Sequence, residues 1–277
     1  MDVKALSERQ PSDWPEEARE VLLSAIRDRG GDAAVRLLAV QLAGELEAIN
    51  DQLARLLLDV IRDGAENEEL RAAAAIALGP ALELGYVDGF DEPDGVPISE
   101  QTFRAIQDTM REAYADADLP KEVRRRVLEG SVRAPRKWHA KAVREAYASN
   151  DVDWQVTAVF CMEYVRGFDE QILGALASDN LHIRYQAVMA AGNWGLDGAW
   201  RSVVELLASP ATEKPLLLAA VEAAVGIRPE EAAEVLGELL ESDDEEVVGA
   251  VQEALVLAEA LSELDFDDDE EEGLADR

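Results

Sequence analysis

Residues 179–195, DNLHIRYQAVMAAGNWG, carry the pattern that decides the fold. Ile183, Ala187, Ala190 and Trp194 fall at i, i+4, i+7 and i+11, which is one stripe of a helix with 3.6 residues per turn. Asp179 is placed to cap this helix, and Gly192 and Gly195 are placed to end it. The stretch 152–167 repeats the stripe in register, as Trp154, Ala158, Cys161 and Val165. Such self-similarity is the mark of a stacked array.

Working outward, amphipathic segments alternate with short breaks along the whole chain. The spacing predicts helices at 15–29, 32–46, 49–63, 67–84, 99–115, 120–134 and 136–148. It continues with 152–166, 169–178, 180–194, 198–208, 213–226, 229–241 and 244–261. These pair into about seven hairpins. The second helix of each carries an apolar anchor: Val35, Leu70, Val123, Trp154, Ile183, Leu216 and Val247. Successive anchors are 35, 53, 31, 29, 33 and 31 residues apart, and the long gap contains a Gly/Asp/Pro-rich insert at 86–99. A helix pair recurring every 30 residues or so cannot bury its apolar face alone and must stack on its neighbours. The expected fold is all-α, a right-handed α-solenoid over 1–262, followed by a disordered acidic tail at 263–277.

NEELRAAAAIALG, LPKEVRRRVLEG and DNLHIRYQAVMAAG resemble the second helix of HEAT-like repeats, the short type named after phycobilisome lyases. In that pattern a turn Asp or Asn precedes an apolar residue, an Arg and spaced alanines. Arg71, Arg124 and Arg184 occupy the Arg position, and the resemblance implies that each reaches a turn acid of a neighbouring repeat. Trp154-Gln155, Leu216-Leu217 and Val247-Val248 depart from it.

Composition narrows the function. Asp and Glu total 59 against 26 Lys and Arg, a net charge of −33, with 48% hydrophobic residues. The tail 263–277 accounts for nine acids and one Arg, so the rest of the surface is acidic too. This excludes general nucleic-acid binding, which needs cationic surface. The absence of an apolar N-terminal segment or a long uninterrupted apolar run leads to an expectation of a cytoplasmic protein without a membrane partner. Cys161, the single cysteine, falls on the core stripe and reads as a packed thiol.

Catalytic motifs are not evident. His139 and His182 are the only histidines, and neither begins a His-Glu pair of the kind found in HEAT-like hydroxylases. Asp88, Asp91 and Asp94 recur every third residue, unlike the alternate ligands of a calcium loop, and read as a solvated turn. No metal, cofactor or catalytic residue is expected. The chain reads as a non-catalytic scaffold that binds a protein or peptide along its groove. The alternative is a lyase-like or chaperone-like enzyme holding a prosthetic group there.

Two features are candidate contacts. Residues 121–144 hold nine cations and two acids, an abrupt reversal in an acidic chain. Arg125, Arg133, Arg136 and Lys137 are the candidates there for an acidic partner segment, while internal charge balance through pairs such as Glu122–Arg126 explains the island equally well. The second feature is a ridge away from the core stripe: Phe160 and Tyr164 in one repeat, Tyr185 and Met189 in the next. These side chains either meet a partner or pack between neighbouring helices.

A chain with this net charge repels itself, and salt shortens the range of that repulsion from about 10 Å at 0.1 M to about 3 Å at 1 M. Its melting temperature is expected to rise with NaCl, most steeply at the low end. Calorimetry across a salt series that shows a steady fall instead means that attractive ion pairs outweigh the global repulsion.

Overall fold

A computed structural model describes residues 2–92 and 95–275, with side chains through 261. It is all-α, with no strand among the described residues. The chain divides into two compact units, Met1–Arg144 and Glu145–Arg277. Each is a short stack of helical hairpins.

In the first unit the helices are α1 (Val3–Ser7), α2 (Ala18–Arg27), α3 (Ala33–Leu42), α4 (Asp51–Arg62), α5 (Glu68–Ala77), α6 (Gly79–Val87), α7 (Glu100–Ala115) and α8 (Lys121–Ser131). Hairpins α2/α3, α4/α5 and α7/α8 stack so that α3 packs on α5 and α5 on α8, while α2 packs on α4 and α4 on α7. Helix α9 (Lys137–Tyr147) leads into the second unit. There α10 (Val152–Met162) is followed by α11 (Asp169–Ala175), α12 (Leu181–Asn193), α13 (Trp200–Ala208), α14 (Lys214–Ile227), α15 (Pro229–Leu236) and α16 (Glu245–Ala275). The second helices form one continuous layer, α10 on α12, α12 on α14 and α14 on α16.

The residues explain these boundaries. Asp32, Asn67, Asp151 and Asn180 each accept backbone N–H bonds from the first turn of a second helix, satisfying donors that the helix cannot pair itself. The cap of α12 is thus Asn180, one residue beyond the expected Asp179. At the other end Gly195 has φ +57°, with Leu196 N–H donating to Ala191 and Gly195 N–H to Gly192. This left-handed stop closes the helix by pairing its last carbonyls. Gly192 lies inside the helix and does not end it.

The expected helix 67–84 is two helices, α5 and α6, meeting at Leu78. Pro80 is the cause: it has no N–H to donate, and its ring collides with the carbonyl one turn back. The combined stretch Glu68–Val87 is long and apolar enough to cross a membrane, yet 61% of its most apolar window is buried inside the protein. Helix α1, not expected, packs on α2 and α3 with Val3 and Leu6 buried. Its five residues are too few to show a period. The insert at 86–99 is anchored by buried Ile98, by a Phe90–Phe103 edge contact at 5.2 Å and by Ser99, whose N–H and hydroxyl both donate to Asp51. Pro93, Asp94, the last two residues and the side chains from residue 262 lie outside the described residues, and with them the expectation for Asp94. The backbone of α16 continues as helix through Ala275, across most of the segment 263–277 expected to be disordered.

Successive second helices approach until their backbones touch. A Cβ added at Gly192 of α12 would sit 2.6 Å from the Cα of Ala223 on α14, and one at Gly226 would overlap the Gly192 carbonyl. In the first unit Gly44 meets Ala77 and Gly130 meets Ala75 in the same way. Arginines add a polar tie. Arg36, Arg71 and Arg124 each donate Nε–H to the carbonyl ten residues earlier, in Ile26, Ile61 and Tyr114, at 2.8, 2.9 and 3.1 Å. That bond closes each hairpin on itself. Arg36 also forks onto both oxygens of Glu66 in the next turn at 2.7 Å, and this hydrogen bond holds the Glu66 carboxyl below its ordinary range. Arg36, outside the three motif arginines, thus reaches a neighbouring turn acid in the manner the resemblance implies. The Arg184 Nε is buried with no hydrogen-bond partner.

Gly192→Ala is expected to destabilise the protein by about 1–3 kcal/mol through overpacking. Gly249 in α16 has open space around its Cβ position, so Gly249→Ala is expected to add about 0.5–1 kcal/mol. Denaturant titration of the two variants checks the contrast. Equal effects would show that the close approach does not matter.

Candidate functional site

The second-helix layer of each unit leaves a groove. In the first unit α3, α5 and α8 enclose about 680 Å³ of open space. Leu37, Ala72, Ala73, Ile76 and Ala77 form its apolar lining, and Glu68, Glu69, Glu122 and Arg126 its polar margin. Ile76 is 38% exposed and lies in the groove lining. The reason is local: three of its near neighbours are alanines, which build a shallow trough and leave the longer side chain uncovered.

In the second unit a smaller groove of about 350 Å³ runs along α12, α14 and α16. Met189, Ala223 and Leu257 face it, with Glu163 and Glu222 at its margin. Tyr185 lies nearby: its hydroxyl pKa is raised above the ordinary value by burial and by the negative charges of Glu222 and Glu163. Asn193 and Trp194, at the end of α12, donate at 2.7 Å to the carbonyls of Glu163 and Met162 at the end of α10. These bonds satisfy carbonyls that α10 leaves unpaired, while Arg166 lies 4.3 Å over the Trp194 ring.

The ridge residues are half-buried. Phe160 and Tyr164 touch each other at 5.5 Å between ring centroids. Of the four, Met189 lines the groove. The cationic candidates belong to the first unit, and Arg125, Arg133 and Arg136 are engaged there. Arg125 is buried against Glu122 at 2.6 Å and Glu129 at 3.8 Å, and Arg126 bonds both acids as well. Arg133 pairs with Glu83, and Arg136 pairs with Asp108 at 3.0 Å. Arg136 and Lys137 are solvent-exposed. Glu83 and Asp108 lie 50 and 28 residues away in sequence, beyond the reach of any local charge pattern. The groove of the first unit was not anticipated, although NEELRAAAAIALG supplies most of its lining.

No family model and no curated protein matches the chain. Solved structures similar to it include human deoxyhypusine hydroxylase in complex with glycerol, at 15% identity over 93% of this chain and 96% of that one, with a TM-score of 0.41. The Escherichia coli protein YibA is 14% identical over 89% and 99%, with a TM-score of 0.49. The complex of CpcE and CpcF of phycocyanin lyase from Nostoc is 15% identical over 92% and 98%, with a TM-score of 0.45. The hydroxylase and the lyase complex are helical-repeat folds, and at such identities no activity carries over.

His139 is the most perturbed titratable group near the cationic stretch. It is buried, with Nδ1 accepting from the Arg136 N–H at 2.8 Å and Nε2 3.1 Å from the Ser131 hydroxyl. The proton is therefore on Nε2, donated to Ser131, whose own hydroxyl donates to the Leu128 carbonyl. Burial pushes the imidazole down from 6.5 to about 4. The folded protein keeps His139 neutral while the unfolded chain protonates it through pH 6.5. Its contribution to stability is therefore complete above about pH 6.5 and is lost as pH falls through about 4, a change of about 3 kcal/mol. His139→Gln is expected to flatten the stability profile across this interval. A profile as steep as the wild type's assigns the acid sensitivity to other groups.

Proposed function

We propose that this chain is a non-catalytic interaction scaffold that holds a polypeptide partner against its second-helix layer. The observation that carries the proposal is the groove of the first unit, where Ile76 stands exposed over an alanine floor between α3 and α8. An apolar trough with a polar margin is the arrangement by which a protein surface takes a side-chain anchor from a partner. The second unit offers the same combination on a smaller scale, with Met189 and Leu257 between Glu163 and Glu222, and Tyr185 serves it as an amphipathic contact. Repeat folds suit this work because a stack of similar hairpins presents an extended face.

A photo-crosslinking amino acid placed at Ile76 or at Met189 is expected to capture one and the same polypeptide from native lysate, identified by mass spectrometry. Glu112 on α7, exposed on the first-helix side, serves as the control position and is expected to give no such adduct. Equal capture from Glu112, or none from either groove position, would overturn the proposal.

A further inference from the structure

The groove of the first unit also carries a statement about its occupant, resting on the scaffold reading above. Its lining is apolar, yet the first turn of α5 sets two exposed carboxylates, Glu68 and Glu69, at its margin. Neither makes an ion pair among the described residues. The one cation at the margin, Arg126, is already held by Glu122 at 2.8 Å and Glu129 at 2.6 Å. The margin is therefore acidic and uncompensated, beside a trough shaped for a bulky aliphatic or aromatic side chain.

We infer that the groove receives a cationic segment of a partner protein, with a large apolar side chain against Ile76 and the alanine floor and Lys or Arg beside it against Glu68 and Glu69. Charge decides among the occupants. A second copy of this chain brings −33 to an acidic margin, and nucleic acid brings phosphate. Both are repelled. A basic segment gains steering from the whole acidic surface and register from the two local carboxylates. Its apolar anchor supplies the part of the affinity that salt does not screen.

The test uses the full chain and a synthetic amphipathic peptide of Lys, Leu and Ala, with its Glu-for-Lys counterpart, followed by fluorescence anisotropy. The Lys peptide is expected to bind and the Glu peptide not. Glu68→Lys with Glu69→Lys is expected to weaken binding at least about tenfold, and Ile76→Gln, which leaves the charge unchanged, by a similar factor. Glu20→Lys with Glu112→Lys alters net charge equally at exposed first-helix positions of the same unit and is expected to change affinity less than about twofold. All of these sites are exposed, and circular dichroism verifies the fold of each variant. The inference is overturned if the control pair weakens binding as much as the groove pair, since attraction is then to bulk charge. It is equally overturned if Ile76→Gln binds like the wild type, or if the Lys peptide does not bind. A polypeptide crosslinked at Ile76 whose binding survives the groove charge reversal sinks the cationic assignment and leaves the scaffold standing.

Discussion

Backbone contact between consecutive second helices is the constraint on which the rest of each unit depends. Gly192 and Ala223 approach so closely that no side chain fits between them, and Gly44 and Gly130 repeat the arrangement in the first unit. Small residues there bring neighbouring helices together along their length, which buries Val188, Ala191 and Val221 without any large side chain at the crossing. The hydrophobic gain per residue is modest for alanine. Close packing makes up for it through many short dispersion contacts. Larger residues are buried away from these crossings, as on α4, where Leu53, Leu57 and Ile61 are fully buried.

Polar ties are laid over this packing at regular offsets. An Arg on the second helix reaches back ten residues to close its own hairpin, and where an acid stands in the next turn it reaches forward thirty, as Arg36 does to Glu66. Lys214 repeats the thirty-residue step to Asp244 at 2.8 Å. The Arg36–Glu66 fork is nearly buried on both sides, a setting where losing one partner costs far more than the pair is worth. The exposed pairs, such as Arg201–Glu205, contribute little by comparison.

The helices were legible because their polar and apolar positions differ and because their caps are the expected residue types. The hairpin pairing followed from the recurrence of Val35, Leu70, Val123 and their successors. Three things escaped for physical reasons. Helix α5, EELRAAAAIA, is apolar around most of its circumference, so no stripe tells which side the fold leaves open, and the groove at Ile76 stayed hidden. The partners of Arg133 and Arg136 come from helices brought near only by stacking. The ridge at Phe160, Tyr164, Tyr185 and Met189 was read from angle alone, and the fold spreads its members: two rings pack on each other while Met189 faces the groove. Pro80, by contrast, was a readable signal for the break in 67–84.

The glycine–alanine seam has a mechanical consequence. Two backbones in direct contact leave no long side chain to bend or change rotamer, so within a unit the seam has almost no slack. First-helix partners such as α2 and α4 approach each other less closely and have more. Deformation of a unit is then a fanning of its first helices about a nearly inextensible spine. Each groove lies on its own unit's spine, so the separation of the helices that line it is the dimension of that unit that thermal motion alters least.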